Sequence, residues 1–307
     1  MSSGWAGPAW GEPSSANQAP IPLRALSWAG EASYRAEGGV SDDFLVLAAA
    51  VSGVSHRLGG RRCEDSFGWA HPTGGRLALV IADGVSTAGR GGEGADLAVQ
   101  AACRYLARPQ ENWGEMECLA AVHAASQDVM SAGGAAAAEL STTIVVALVV
   151  AAAGRARATV ARAGDSTAFT LAPGGAWREV FGPHGSDLLG GDAANGNGER
   201  GAEAGEGVDD DVKPALALVL PLSSRDQSLE VTTVELADEA ALVLLSDGVA
   251  DPLRDGPNTV APALAGAVLA AGRGELSPLA LARAADFSRR GAHDDRTVLV
   301  AWPRGGH

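Results

Sequence analysis

At residues 77–84 the chain reads Leu77-Ala78-Leu79-Val80-Ile81-Ala82-Asp83-Gly84, an apolar run that ends in an acidic residue and a glycine. The same arrangement returns later, where the apolar run 240–245 is followed by Ser246-Asp247-Gly248. Short apolar runs bounded by turn residues predict buried β-strands. Each strand therefore carries an Asp at its carboxyl end, and the glycine lets the backbone turn sharply and brings a carbonyl oxygen within reach of a cation.

Three more acidic groups lie at the ends of predicted strands: Glu64-Asp65, Asp165 and Asp294-Asp295. Taken singly, an Asp-Gly after a strand is most often just a turn. Several carboxylates in apolar surroundings need a common counter-charge, because an unpaired buried charge is costly. Mg²⁺ and Mn²⁺ prefer carboxylate, carbonyl and water oxygens, and no grouping of His and Cys favours zinc. The sequence therefore predicts a divalent-metal site assembled from strand ends.

The composition favours one large soluble domain. With 307 residues, 46% of them hydrophobic, the chain is long enough to bury a substantial core. The net charge of −14 argues against a nucleic-acid or anionic-membrane surface, because binding to phosphate backbones requires basic patches. The longest apolar stretch, residues 144–153, is about half of the ~20 residues that a membrane helix needs.

The three cysteines, Cys63, Cys103 and Cys118, are odd in number and form no Cys-x-x-Cys pair. Neither a disulfide framework nor a structural zinc site is therefore indicated. The first twenty residues also lack a basic region followed by an apolar one. We expect a cytoplasmic, unsecreted protein.

Residues 1–41 are rich in Gly, Ser, Pro and Ala without a sustained period, which predicts a mostly disordered leader before a domain at 42–304. Inside that domain, residues 184–212 are Gly-rich and acidic, which predicts a flexible insert. The remaining segments predict many strands around two long helices, at about 93–106 and 113–131. Strands without a regular βαβ rhythm indicate an α+β fold, with two packed sheets and helices outside.

The acidic motifs follow one another in a recognisable order. The first is Ser55-His56, a Gly/Arg loop and Cys63-Glu64-Asp65; the others are Val80-Ile81-Ala82-Asp83-Gly84, Ser141-Thr142-Thr143, Ala163-Gly164-Asp165-Ser166, Leu245-Ser246-Asp247-Gly248-Val249 and His293-Asp294-Asp295-Arg296-Thr297. This order resembles the metal-dependent protein serine/threonine phosphatases of type 2C, especially a bacterial branch. The resemblance covers roughly residues 43–302.

The resemblance implies a two-sheet antiparallel β-sandwich flanked by helices, with a binuclear Mg²⁺ or Mn²⁺ centre in a cleft at one end. It also implies a role for each acidic position: Asp83 bridges both metals, Asp247 and Asp294 complete the first, Glu64 and the Gly84 carbonyl hold the second, Asp165 with Asp247 binds a third, weaker metal, and Asp65 orients metal-bound water. Two cations would activate a shared water and stabilise the attacking and leaving oxygens of an in-line displacement.

The sequence departs from the family pattern at the phosphate-binding arginine. That residue commonly lies four positions before the metal-binding Glu64, a place held here by Gly60, and three arginines are nearby: Arg57, Arg61 and Arg62. We expect Arg61 to bind the phosphate, because a bidentate guanidinium contact suits this group. His56 either approaches the phosphate or holds the loop structurally.

The predicted function is a serine/threonine phosphoprotein phosphatase that uses Mn²⁺ or Mg²⁺ and opposes a bacterial protein kinase. One alternative is a catalytically weak module of the same fold that binds phosphorylated partners. Another is an unrelated metallophosphoesterase with a small-molecule substrate, a class that usually uses His and Asn ligands. Val85 stands where some eukaryotic relatives have a His proposed as the general acid, so the group that protonates the leaving oxygen stays open.

Overall fold

The structure of the protein, a computed structural model, describes residues 34–72, 75–108, 112–152, 155–182, 219–222, 229–237, 240–255, 260–289 and 293–304. The strands within these ranges are β1 Tyr34–Val40, β2 Phe44–Val51, β3 Asp65–Ala70, β4 Arg76–Asp83, β5 Ile144–Ala152, β6 Arg155–Ala163, β7 Thr167–Leu171, β8 Trp177–Glu179, β9 Glu230–Leu236, β10 Ala241–Leu245 and β11 Arg296–Pro303. The helices are α1 Val54–Leu58, α2 Gly91–Leu106, α3 Glu115–Gly133, α4 Asp247–Arg254, α5 Val260–Gly272 and α6 Pro278–Ala285, and a 3₁₀ helix covers Gly134–Leu140.

The strands form two antiparallel sheets. One has the order β1-β2-β11-β10-β7-β8, and the other has the order β3-β4-β5-β6-β9. The α+β fold predicted from the sequence is confirmed, since helices and two antiparallel sheets occur together as in the sandwich expected.

Apolar side chains on both faces of each sheet explain the layering. Strand β2 divides its residues between two cores, with Val46, Ala48 and Ala50 turned toward the other sheet and Leu47, Ala49 and Val51 turned toward α4–α6. The second sheet does the same: one face joins the core between the sheets, and the other packs under α2 and α3. This alternation follows from the two-residue period of a strand. Both sheets are therefore covered on both faces.

Two pairs of strand ends bring the acidic motifs together. The first residue of β3, Asp65, lies opposite the last residue of β4, Asp83, in the antiparallel register. In the other sheet, Leu245 at the end of β10 pairs with Thr167 at the start of β7 and with Val298 near the start of β11. The residues that follow or precede these ends are the acidic ones singled out in the sequence.

Strand β1 occupies the last part of the predicted leader and pairs with β2 over its whole length, from Tyr34 opposite Val51 to Val40 opposite Leu45. Its sequence contains Gly38 and Gly39 and shows no apolar alternation, so only the pairing partner makes it a strand. Residues 1–33 and the predicted insert at 184–212 lie outside the described residues.

In the described part of the chain, none of the helices combines the length and apolarity needed to cross a bilayer.

Candidate active site

Asp83 lies at the centre of the group of acidic residues. Its peptide is fixed by two threonines at the start of β5: the Asp83 carbonyl accepts hydrogen bonds from Thr143 N at 2.8 Å and from Thr142 Oγ1 at 2.8 Å, and Asp83 N donates to Thr143 Oγ1 at 3.2 Å. Burial raises the pKa of the Asp83 carboxyl well above its ordinary value, and the negative charges of Asp65 and Asp247 add to this effect. An anionic site of this kind favours a cation.

Asp65 is the most deeply buried of the acidic residues. Its Oδ2 accepts a hydrogen bond from Ser246 Oγ at 2.8 Å, and Ser246 Oγ in turn accepts one from Thr297 N at 2.8 Å. Burial raises the pKa of Asp65 well above the usual range, with a further increase from the charge of Asp295. The side chain is therefore held in one orientation by the end of β10 and the start of β11.

Asp247 is the first residue of α4 and follows the N-cap residue Ser246. Its carboxyl lies in hydrogen-bonding contact with that of Asp83. Burial, followed by the charges of Asp294 and Asp165, raises the pKa of Asp247 to about 6. Its Oδ1 is buried and has no hydrogen-bond partner among the described residues. The sequence predicted a turn here, but the structure starts a helix.

Gly84 allows two segments of backbone to meet beside Asp83. A Cβ atom at this position would lie 2.6 Å from the nitrogen of Gly92, which is closer than real Cβ contacts. Gly84 N donates a hydrogen bond to the Glu64 carbonyl at 3.2 Å. The glycine thus brings the start of α2 and the residue before β3 next to the carboxylates.

Glu64 directly precedes β3 and is paired with an arginine. Arg61 donates a hydrogen bond from its guanidinium to Glu64 Oε1, while Glu64 Oε2 is buried without a partner among the described residues. The other two loop arginines are bound elsewhere: Arg57 to Asp286 at 3.0 Å and Arg62 to Asp96 at 3.3 Å.

His56 is buried in α1, with 3% of its surface exposed. Its Nδ1 lies 2.9 Å from Asp295 Oδ2, and this hydrogen bond raises the pKa of the imidazole. Of the two roles expected from the sequence, a direct approach to phosphate and a structural hold on the loop, the geometry favours the second. The partnership joins residues far apart in sequence, and the only signal for it was the second carboxylate in Asp294-Asp295.

Asp294 and Asp165 lie at the margin of the group. Asp294 is half-buried and its Oδ1 accepts a hydrogen bond from Asp295 N at 3.0 Å. Asp165 is exposed, in the turn between β6 and β7. The charges of both nevertheless raise the pKa of Asp247, so both lie within electrostatic reach of it.

The donor set fits a hard divalent cation in its chemistry. Buried oxygens of Glu64 and Asp247 lack partners among the described residues, and the charges of nearby carboxylates help to raise the pKa values of Asp83 and Asp247. Among the residues that the structure describes, however, no three His, Cys, Asp or Glu side chains are positioned together so that they could hold an ion as they stand. Binding would therefore require side-chain adjustment, beginning with the contact between Arg61 and Glu64.

The chain is similar to known proteins in its family and its fold. The family model of protein phosphatase 2C matches residues 52–273. No curated protein sequence is similar enough to this chain to count as a match.

Several solved structures share the fold. The serine/threonine phosphatase of S. agalactiae is 13% identical with a TM-score of 0.55, and the match covers 85% of this chain and 100% of that one. The Mycobacterium tuberculosis serine/threonine phosphatase PstP/Ppp is 20% identical with a TM-score of 0.50, covering 85% and 98%. A bacterial serine phosphatase is 14% identical with a TM-score of 0.52, covering 85% and 98%.

Identities this low show the fold alone, whereas the family model spans more than two thirds of the sequence, from the first acidic motif through α5. The chain belongs to the protein phosphatase 2C family.

Proposed function

We propose that this protein is a metal-dependent serine/threonine phosphoprotein phosphatase of the bacterial cytoplasm that hydrolyses phosphomonoesters and opposes a protein kinase. The observation that carries the proposal is the contact between the carboxyls of Asp83 and Asp247, both with raised pKa, in a domain of the protein phosphatase 2C family. Neighbouring acids whose pKa values are raised by burial and by nearby negative charge are common at functional sites.

The residues that would hold Mn²⁺ or Mg²⁺ supply oxygen donors of the kind these ions prefer. For two ions they are Glu64, Asp83, the Gly84 carbonyl, Asp247 and Asp294, and Asp165 with Asp247 would serve a third. When bound, such ions supply Lewis-acid chemistry, activating water and neutralising the charge of the phosphoryl group.

Asp65 is suited to orient the attacking water. Its buried carboxyl is fixed by Ser246, and its raised pKa makes it a better proton acceptor than an ordinary Asp. Because this carboxylate is already held in one orientation, little conformational entropy is lost when it binds the attacking water.

Arg61 is the residue that we propose for the phosphate. Its side chain is about half exposed, with a relative accessibility of 46%, and it already binds the carboxylate of Glu64. A cation bound by Glu64 would compete with this guanidinium, leaving Arg61 free to donate to phosphate oxygens in the bidentate manner of arginine. The bond of its Nδ1 to Asp295 argues against the same task for His56.

The proposal is tested by phosphate release from phosphothreonine peptides and from p-nitrophenyl phosphate in the presence of Mn²⁺. We expect hydrolysis by the wild-type protein, and its loss in Asp83→Asn and in Asp247→Asn while circular dichroism stays unchanged. Absence of phosphate release in the wild type, or full activity in either variant, contradicts the proposal. Phosphopeptide binding without turnover in the wild type would instead support the binding module considered from the sequence.

A further inference from the structure

We propose that Asp295 is a positioning residue that, together with His56, holds the candidate metal ligand Glu64 in place. This inference rests on the proposed function, because it concerns the arrangement of the same site. It adds a residue outside the set of expected ligands, and it assigns His56 a role that does not involve contact with phosphate.

The Asp295 carboxylate receives three hydrogen bonds from a single segment, residues 53–64, which we name the first-motif loop. Its Oδ1 accepts from Gly53 N at 2.6 Å, and its Oδ2 accepts from His56 Nδ1 at 2.9 Å and also from Glu64 N. These donors lie at the beginning, in the helix and at the end of the loop. The side chain of Asp295 is 2% exposed, so water does not compete for these bonds.

The peptide of Glu64 is thereby anchored on both sides. Its N–H is bound by Asp295, and its carbonyl accepts a hydrogen bond from Gly84 N at 3.2 Å. Glu64 itself precedes the first residue of β3, so the strand ladder does not fix it. Loss of the Asp295 carboxylate would leave the N-terminal side of this residue free to move.

Asp295 also connects Glu64 with a second candidate ligand. Its own N–H donates to Asp294 Oδ1 at 3.0 Å. The loop is tied to the same turn by Ser55, whose N–H and Oγ both donate to the His293 carbonyl, at 3.3 and 2.8 Å. One residue thus fixes the spacing between the first and the last acidic motif.

The effect of such a positioning residue can be measured as a change in metal affinity. Removing a group that orients a metal ligand typically lowers metal affinity by about 10- to 100-fold. Asn at position 295 keeps the size of the side chain and one carbonyl acceptor, but its amide nitrogen cannot accept a hydrogen bond from Glu64 N or Gly53 N. The change therefore removes an acceptor without creating a cavity.

The test is a calorimetric titration of wild type and Asp295→Asn with MnCl₂ alone. We expect the affinity of one bound Mn²⁺ to fall about 10- to 100-fold in the variant, while at saturating Mn²⁺ phosphate release approaches the wild-type rate. Wild-type Mn²⁺ affinities in a folded Asp295→Asn protein would overturn the inference. A wild-type protein that binds no Mn²⁺ contradicts both this inference and the proposed function. A wild-type protein that binds Mn²⁺ and releases phosphate, beside a variant with the same affinity, contradicts this inference alone.

Two further variants separate positioning from general damage. Arg57→Gln removes an ion pair that the same loop makes at the surface with Asp286, where Arg57 is 31% exposed, and it leaves Asp286 beside the buried Arg296; we expect wild-type Mn²⁺ affinities. His56→Gln removes one of the three donors and leaves the backbone bonds of Gly53 and Glu64, so we expect a smaller loss of affinity than in Asp295→Asn. Should Asp295→Asn not fold, wild-type Mn²⁺ affinities in a folded His56→Gln protein would contradict the inference.

Discussion

The folded protein disfavours the negative charge of the Asp247 carboxylate. Burial of the carboxyl, followed by the negative charges of Asp294 and Asp165, raises its pKa to about 6. In the unfolded chain the same group would titrate near the ordinary value of about 4. The folded protein therefore binds this proton more tightly than the unfolded chain does.

This difference predicts the direction of a pH effect on stability. The contribution of Asp247 is fully present below about pH 4 and is lost as the pH rises through about 6, because deprotonation is harder in the folded state. In chelator, we expect the unfolding free energy of wild type, relative to Asp247→Asn, to fall on the order of 1–3 kcal/mol between about pH 4 and about pH 7. Denaturant unfolding of both proteins across this range measures it.

A pH profile that is parallel in the two proteins would refute this reading of Asp247. The matched observation is made at neutral pH, where added Mn²⁺ should stabilise wild type more than Asp247→Asn, because a cation relieves the repulsion only where the charge exists.

At the residue scale, the sequence predicted the acidic positions, but it did not predict which residues form hydrogen bonds with them. Asp83 and Asp247 could be found because each follows an apolar run and precedes a glycine. The bond of Asp295 to His56 could not be predicted, since it joins residues 239 positions apart. Likewise, the pairing of Arg61 with Glu64 depends on the path of a loop whose sequence offers three arginines.

Helix α2 approaches the rest of the domain so closely that one of its glycines is required. At Gly94, an added Cβ would clash with the Leu140 carbonyl at the end of the 3₁₀ helix, and it would lie 2.7 Å from the Leu140 carbonyl carbon. That neighbour is backbone and cannot turn away as a flexible side chain would. The start of α2 also packs against Gly84, so this contact supports the candidate site.

We expect Gly94→Ala to destabilise the protein by about 1–3 kcal/mol, the usual cost of forcing extra atoms into a packed interior. The control is Gly266→Ala in α5, where no atom lies within 4 Å of the added Cβ. That exposed helical position should gain roughly 0.5–1 kcal/mol from the better helix propensity of Ala. Chemical denaturation distinguishes the two, and equal effects at both positions would show that the close contact does not govern stability.

At the element scale, the long helices with a regular apolar period were predictable from the sequence. The short helix α4 and the strand β1 were not. The apolar spacing of α2 and α3 predicts both helices within a few residues of their observed bounds. Helix α4 was missed because Asp-Gly and an internal Pro252 are turn-forming signals, which the packing of Val249 and Leu253 outweighs. Strand β1 was missed because its pairing partner, not its own pattern, defines it.

For the whole molecule, continuous apolar runs explain why the layered fold was predictable. Strands β4, β5 and β10 are apolar at nearly every position because both faces of each sheet are covered. The runs of β4 and β10 end in acidic or polar residues, at Asp83 and at Ser246-Asp247. The fold therefore places charges that are unfavourable alone beside one another, and a divalent cation is the counter-charge that suits oxygen donors of this kind.

Anomalous diffraction at the manganese edge, from crystals of the protein grown with Mn²⁺, tests the metal assignment most directly. We predict two manganese peaks about 3.5–4 Å apart, spanned by the carboxylate of Asp83, with Asp247 and Asp294 at one ion and Glu64 and the Gly84 carbonyl at the other. A map without a manganese peak within coordinating distance of Asp83, at Mn²⁺ concentrations that saturate the protein in solution, would contradict the account.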